Sequence, residues 1–200
     1  MQHGTNTDYA KARPALHAAK TPAGLAIEIA PAPVRGMITL RGDLASPAMA
    51  EAVRAATGLK IPGVRKVTGT GETLVLWMSP DELMIHCAYA EAPAKTAQLA
   101  QALADEHSLV FDVSDARQVI TLKGAGAREV LAKGAPVDLR AGAFGVGDLR
   151  RTRIGTIAAA FYQTAAEPES FEVFCFGSNA AYLFDWLCAS AKEGSLPGVL

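Results

Sequence analysis

The chain has 200 residues, of which 50% are hydrophobic and 20% are charged, and this composition excludes an intrinsically disordered protein. The 19 basic and 20 acidic residues give a formal net charge of -1, so we expect neither a nucleic-acid partner nor binding to an anionic membrane. No apolar run approaches the roughly 18 residues of a membrane span, and the first residues lack a signal-peptide pattern. The odd number of cysteines, 3 within apolar runs, favours free thiols in a reducing cytosol. The sequence therefore predicts a cytoplasmic globular protein.

Apolar runs that are rich in β-branched residues predict eight β-strands. These runs cover residues 25–30, 37–40, 73–78, 83–87, 109–113, 119–122, 153–161 and 171–176. Proline, serine and glycine at start and stop positions predict helices between pairs of these strands. The helical stretches are 47–58, 93–107, 125–133 and 178–191. The resulting order is strand, strand, helix, four times over, which is typical of an α+β fold.

Two short segments occur twice in the chain. Residues 38–42 read ITLRG, and residues 120–124 read ITLKG, 82 positions later. Residues 83–87 and 171–175 form a second pair of similar apolar strands, 88 positions apart. Together with the repeated order of elements, these matches predict a duplicated α+β unit in which each half has the order strand, strand, helix, strand, strand, helix.

The expected domain organisation follows from this duplication. Residues 1–22 have no continuous apolar stretch, and we expect them to form an extended or mobile N-terminal arm. Residues 23–200 are expected to form a single domain, in which halves at about 23–107 and 108–192 pack around a common core. The connection at 59–72 contains several glycines and basic residues and is expected to be an exposed loop.

His86 and Cys87 are candidates for a base and a nucleophile. Adjacent residues on a strand point to opposite faces, so this pair cannot readily converge on one substrate. The 4 histidines of the chain also show no spacing that is typical of metal ligands. We therefore expect structural roles for His86 and Cys87, and no residue is assigned to metal binding.

Two further segments have polar residues that could support chemistry. In FDVSDAR, the carboxylates of Asp112 and Asp115 could act as acid and base. We favour a tight turn, in which they accept bonds from turn amides and Arg117 neutralises them. The glycine-rich loop at 141–148 lacks the lysine and the following helix of a phosphate-binding loop, and we interpret it as a turn that needs glycine at positive φ. No residue is assigned to catalysis or to cofactor binding.

The last predicted helix carries more apolar surface than one buried face requires. Its main stripe consists of Ala180, Phe184, Leu187, Cys188 and Ala191. A second row beside it contains Tyr182, Trp186 and Ala189. Because Trp and Tyr are enriched at interface hot spots, Tyr182 and Trp186 are candidates for a partner interface. The alternative, that both rings complete the core of this chain, remains open at this point.

Two stretches carry a resemblance to a known family. In the first, at 74–85, the residues of a Trp-x-x-Pro-Asp-Glu segment are Trp77, Pro80, Asp81 and Glu82. In the second, at 133–187, the shared residues are Gly134, Asp138, Leu139, Phe144, Gly147, Thr152, Arg153, Tyr182 and Trp186. On these residues the chain resembles the gamma subunit of heterotetrameric sarcosine oxidase, over roughly residues 36–191.

The resemblance implies a place in an enzyme complex. Such complexes oxidise sarcosine to glycine with hydrogen peroxide as co-product, and they pass the methyl carbon to tetrahydrofolate as 5,10-methylenetetrahydrofolate. In this family FAD, FMN, NAD and tetrahydrofolate belong to the alpha and beta subunits, and zinc belongs to the delta subunit. The implied fold is like the folate-binding domain of aminomethyltransferase. We therefore expect a structural and assembly subunit, with alpha, beta and delta subunits as partners and no cofactor of its own.

A free-standing folate-binding or aminomethyltransferase-like protein is the alternative, with a pterin in the groove between the two halves. Residues 133–136 read KGAP and lack the Cys and Tyr of the Lys-Gly-Cys-Tyr-type motif of folate-dependent cluster-repair relatives, which disfavours this alternative. The chain also departs from the gamma-subunit pattern at Ala135, where Cys is common, and at Arg140 and Ala141, where His-Pro is common. These departures concern the loop that is expected after the third helix.

Overall fold

The computed structural model describes residues 13–200, and this range contains four α-helices and ten β-strands. The helices are α1 (Pro47–Thr57), α2 (Ala92–Ala102), α3 (Ala127–Ala132) and α4 (Ala180–Ser190). The strands are β1 (Glu28–Pro31), β2 (Gly36–Arg41), β3 (Val67–Thr70), β4 (Thr73–Ser79), β5 (Glu82–Cys87), β6 (Leu109–Asp112), β7 (Arg117–Lys123), β8 (Leu149–Ile154), β9 (Ile157–Ala165) and β10 (Ser170–Phe176). The predicted α+β class is confirmed. No helix within the described range is long and apolar enough to cross a membrane.

The strands form two five-stranded antiparallel sheets that pack face to face. The first sheet has the order β3-β4-β5-β2-β6, and the second has the order β1-β7-β10-β9-β8. Helices α1 and α2 cover the outer face of the first sheet, where Val53 and Leu99 are buried. Helices α3 and α4 cover the second sheet in the same way, with Leu131 buried. Met84 and Phe174 belong to a separate core between the two sheets.

The two halves of the chain exchange their first strands. β1 pairs with β7 of the second half, whereas β6 pairs with β2 of the first half. In each half the order is two strands, a helix, three strands and a helix. The halves expected at about 23–107 and 108–192 contain these two series, and the boundary between them stays a prediction. Because of the exchange, neither half can complete a five-stranded sheet by itself.

Three expectations from the sequence need correction. The run at 153–161 is a hairpin, because Gly155 has a φ of +59° and turns the chain between β8 and β9. The loop expected at 59–72 contains β3, whose sequence VTGT has too few apolar residues to be recognised as a strand. Helix α2 ends at Ala102 and not near His107, since residues 104–107 are exposed and offer no apolar stripe to the core.

Local chemistry explains where the well-predicted helices lie. In α1, Pro47 occupies the first turn, where its missing N–H leaves no bond unmade. Gly58 ends the helix with a φ of +75°, and its N–H donates to the Arg54 carbonyl at 2.8 Å. In α4 the predicted stripe is confirmed, because its residues are all buried: Ala180, Phe184, Leu187, Cys188 and Ala191.

The expected N-terminal arm at 1–22 lies partly outside the described residues, which begin at Arg13. The described part is bound to the body of the protein. Leu16 is buried, and its N–H donates to Gln118 Oε1 at 3.4 Å. The Thr21 hydroxyl donates to the Ile29 carbonyl at 2.6 Å. One apolar side chain therefore anchors the described part of this segment in the core, and the arm as a whole stays a prediction.

His86 lies at the centre of the packing between the sheets. Its ring is fully buried and meets the ring of Phe174 edge to face, with 5.7 Å between centroids. Neither ring nitrogen has a hydrogen-bond partner among the described residues. Burial, together with the positive charges of Arg35 and Arg117, lowers the pKa of His86 to about 3. The structure thus holds a neutral imidazole in an apolar layer.

Replacement of His86 by Phe, the residue at the equivalent position of the second half, should make the protein less sensitive to acid. The unfolded chain binds a proton on His86 near pH 6.5, whereas the folded protein binds it only near a pKa of about 3. Wild-type stability should therefore fall between these values by up to about 1.4 kcal/mol per pH unit from this residue. Urea unfolding at neutral and acidic pH measures the slope for the wild type and for His86→Phe.

The matched control for this prediction is His107→Gln, since His107 is exposed. This variant should keep the wild-type slope. Equal loss of stability toward low pH in His86→Phe and in the wild type would contradict the prediction, because the slope would then come from other groups.

Candidate functional site

A groove of about 570 Å³ opens between the β3–β4 hairpin and the second sheet, within the size range of small-molecule sites. Its apolar side is formed by Val67, Leu74 and Val146, and its polar end contains Tyr162 and Glu172. The groove lies at the junction of the two sheets. It is one of two grooves of this size between the halves of the chain among the described residues, and the sequence analysis placed a pterin between the halves under the alternative function.

A partly buried ionic network closes the polar end of the groove. The Arg35 guanidinium donates to both oxygens of Glu172, at 2.7 and 2.8 Å, and the Tyr162 hydroxyl also donates to this carboxylate. Burial and the neighbouring Glu172 carboxylate raise the pKa of Tyr162, so its hydroxyl stays protonated. Arg35 comes from the segment between β1 and β2, and Glu172 lies on β10. The network therefore connects the two halves of the chain, and the carboxylate is largely satisfied by the chain itself.

The sequence analysis did not find this network, because Arg35 and Glu172 are 137 residues apart. One signal could have found it. Glu172 is the charged residue in the otherwise apolar β10 strand, SFEVFCF, and a charge in such a strand requires a partner when it is buried. The identity of that partner depends on how the sheets pack.

The predicted turn at FDVSDAR is present, but one of its expected contacts is wrong. The Ser114 backbone N–H and hydroxyl both donate to Asp112 Oδ1, at 2.9 and 2.5 Å. The Tyr89 hydroxyl donates to Asp115 at 2.9 Å. Arg117 does not neutralise these carboxylates as expected, because its guanidinium instead lies 4.6 Å from the centroid of the Phe176 ring. Both carboxylates thus serve as turn and side-chain acceptors.

His86 and Cys87 point into different layers, as expected from their adjacent positions on β5. His86 faces the other sheet, whereas Cys87 belongs to the core under α1 and α2. Burial raises the pKa of the Cys87 and Cys175 thiols to about 11, so both are protonated at neutral pH. No group of three potential metal-binding side chains occurs within residues 13–200.

The glycine-rich loop at 141–148 is held by its own contacts and by β3. Gly147 has a φ of +79°, as the interpretation as a glycine turn requires. Asp148 accepts a hydrogen bond from the Gly145 N–H at 2.8 Å and forms an ion pair with Lys66 at 2.7 Å. The carboxylate in this loop is therefore an acceptor for backbone and lysine, which is unlike a phosphate-binding loop.

Tyr182 and Trp186, the predicted interface pair, differ in their environments. Tyr182 is 54% exposed on the outer side of α4. Trp186 is partly buried and packs against the core of the second half. A Cβ atom at Gly134 would lie 2.5 Å from Trp186 Cη2, and the ring also lies beside Gly155. Trp186 therefore fills a space that two glycines leave, whereas Tyr182 presents its ring to solvent.

Comparison with known proteins assigns the family. The model of the "Sarcosine oxidase, gamma subunit family" matches residues 41–193. The chain belongs to this family. The sarcosine oxidase subunit gamma of Corynebacterium sp. (strain U-96) is 34% identical over 146 residues, which cover 72% of this chain and 69% of that protein. The resemblance seen in the sequence is thereby confirmed.

Solved structures extend the comparison to the fold. A chain of heterotetrameric sarcosine oxidase from Corynebacterium sp. U-96, solved in complex with pyrrole 2-carboxylate, has a TM-score of 0.80 and 28% identity, and the match covers 94% of this chain and 98% of that chain. Glycine cleavage system aminomethyltransferase T from Bartonella henselae has a TM-score of 0.56 at 17% identity, over 80% of this chain and 44% of that chain. The latter similarity shows the fold alone and confirms the predicted aminomethyltransferase-like architecture. Of the two functions left open by the sequence, the family favours the gamma subunit.

Replacement of Glu172 by Ala should lower the free energy of unfolding by about 2 to 4 kcal/mol, because it leaves the largely buried Arg35 guanidinium without its carboxylate. Glu51→Ala is the matched control, since Glu51 also accepts both branches of an arginine fork, from Arg54, but both side chains of that pair are 62% exposed. The control should change stability by less than about 0.5 kcal/mol. Urea unfolding monitored by circular dichroism measures both, and similar losses in the two variants would contradict the structural role of the network.

Proposed function

We propose that the chain acts as a structural and assembly subunit of a heterotetrameric sarcosine oxidase. The observation that carries this proposal is the similarity to a chain of that complex over nearly the full length of both chains. An assembly subunit must present surfaces to its partners while its own fold is stable. The two cores under the helices and the third core between the sheets supply that stability.

In this proposal the chemistry takes place in the partner subunits. The complex oxidises sarcosine to glycine and hydrogen peroxide and yields 5,10-methylenetetrahydrofolate, with FAD, FMN, NAD and tetrahydrofolate in the alpha and beta subunits and zinc in the delta subunit. The proposed location is the cytoplasm. The contacts of the candidate residues support an assembly role for this chain, because Asp112, Asp115 and His86 are held by turn, side-chain and core interactions.

Omission of this chain should destabilise the complex more than it changes the chemistry. Co-expression of alpha, beta and delta subunits with and without this chain allows the comparison, with sarcosine-dependent oxygen consumption and complex mass as the measurements. Without the chain, we expect activity to be lost faster on heating and the complex to dissociate on size-exclusion chromatography. The initial kcat of the alpha, beta and delta assembly, measured before it dissociates, should stay within about twofold of the kcat of the complete complex. Unchanged heat resistance and unchanged mass after omission would contradict the assembly role.

We further propose that the outer side of α4 contacts another subunit through Tyr182. The exposed tyrosine ring supports this proposal, since Tyr supplies a large and partly apolar contact area at interfaces. Trp186 lies in the next turn of the same helix and holds that surface in place through its packing against Gly134. In this proposal Trp186 supports the position of α4 and does not itself contact the partner subunit.

Tyr182→Asp should weaken retention of the chain by an affinity-tagged partner subunit by about tenfold, because it replaces an aromatic contact with a charge that must be desolvated. Val64→Asp is the control, since Val64 is another exposed apolar residue, at 66%, in the connection before β3. Retention of the Val64 variant should match the wild type. If both variants were retained equally, α4 would not be the interface, and the family assignment would be unaffected.

A further inference from the structure

Arg117 is the counterpart of Arg35 in the duplicated fold. It follows Arg35 by 82 positions, which is also the spacing between the equivalent segments of β2 and β7. Arg35 binds the carboxylate of Glu172, but the residue 88 positions before Glu172 is Met84. The position in the first half that is equivalent to Glu172 is therefore a methionine, which cannot accept an ion pair from Arg117. Both halves of the chain thus have the arginine, but only the second half has the glutamate.

The contacts of Arg117 leave its charge incompletely compensated. Its buried Nε has no hydrogen-bond partner among residues 13–200. Glu82 is close enough to attract it, but this carboxylate accepts a 2.9 Å hydrogen bond from Arg151. Burial lowers the pKa of Arg117, opposed by the attraction of Glu82 and reinforced by the repulsion of Arg151. The Glu82 carboxylate is thus paired with Arg151 and not with Arg117.

An exposed aromatic ring lies beside these charges. The Arg117 guanidinium stacks over Phe176, which is 47% exposed, and the Arg151 side chain is 51% exposed. These three residues line one small cavity at the junction of the sheets, and we call them the Arg117 surface. Arginine and aromatic side chains are enriched among the residues that dominate binding energy at interfaces. The combination fits an anionic group that has an apolar neighbour.

We propose that the Arg117 surface docks a carboxylate-bearing segment of another subunit, with an acidic side chain against the two guanidinium groups and an apolar side chain against Phe176. The proposal rests on the proposed function, since it assigns a partner surface to the assembly subunit. Charge complementarity selects this occupant, because a carboxylate can accept a bidentate bond from a guanidinium. In a twofold dimer with this surface on the symmetry axis, the surface would face a copy of itself, and like charges would repel.

Charge reversal in the complete complex tests the proposal. All four subunits are co-expressed, and retention of this chain by an affinity-tagged alpha subunit is measured. Arg117→Glu should lower retention by about tenfold or more, and Arg117→Lys should lie between it and the wild type, because lysine keeps the charge but loses the fork and the stacking. Arg54→Glu reverses an arginine that is 62% exposed on α1 and should stay within about twofold of the wild type.

The outcomes of this experiment separate the inference from the proposed function. If Arg117→Glu were retained as well as Arg54→Glu, the docking surface would be wrong and the assembly role would stand. If the wild-type chain were not retained by any partner subunit, both the docking surface and the assembly role would be contradicted. Loss of retention in Arg117→Glu alone supports the inference, provided that the free variant unfolds within a few degrees of the wild type.

Arginine modification by a dicarbonyl reagent, read by mass spectrometry, tests the surface without any substitution. Arg117 and Arg151 should react more in the free wild-type chain than in the complex, whereas Arg54 should react equally in both. Equal reaction of Arg117 in both states would overturn the proposal. A third outcome is that Arg117 is protected from the reagent in the free chain and that deletion of residues 1–12 removes this protection. The carboxylate would then belong to this chain, for instance to Asp8, and the proposal would also be overturned. The proposal would likewise be overturned if the free wild-type chain were a dimer and Arg117→Glu converted it to a monomer.

Discussion

The packing of the two sheets against each other is the constraint on which the rest of the structure depends. Each sheet buries one face under two helices and the other face against its partner sheet. At the centre, His86 meets its counterpart Phe174 at 5.7 Å. The exchange of β1 and β6 makes strand pairing and sheet packing depend on each other. Backbone bonds from Val67 to Gly147 and from Leu149 to Arg65 then join the sheets at one edge.

The two halves have diverged most where charged residues face the junction of the sheets. By strand register, Gly69 is the counterpart of Arg151, and Ser170 is the counterpart of Glu82. Gly69 and Ser170 line the open groove. At the equivalent place, Arg151 and Glu82 form an ion pair across the two sheets. One end of the molecule thus has an open groove and a complete ionic network, while the other end is filled by an ion pair and has an extra guanidinium.

Much of the fold could be predicted from the sequence, because helix positions and most strands depend on local periodicity and on proline and glycine. The stripe of α4 and the duplication are of this kind. The exchange of first strands could not be predicted from the apolar pattern. This pattern is satisfied equally well when β1 pairs with β2 of its own half and when it pairs with β7 of the other half. The Arg35–Glu172 contact depends on packing between segments that are 137 residues apart. The environment of Trp186 depends likewise on Gly134, which comes close to it only in the folded chain.

The layered arrangement also limits where a partner can bind. The inner faces of the sheets are used by each other and the outer faces by helices, so the helix surfaces and the sheet edges remain. At the edge strand β6, Leu109 and Phe111 are 51% and 62% exposed, whereas the counterpart of Phe111 on β1 is Ala30. An exposed apolar edge favours aggregation in a free protein. Leu109 pairs with Arg41, which pairs with Glu82 of the ion pair beside Arg117. Strand register therefore places the apolar edge two strands away from the ion pair that lies beside Arg117.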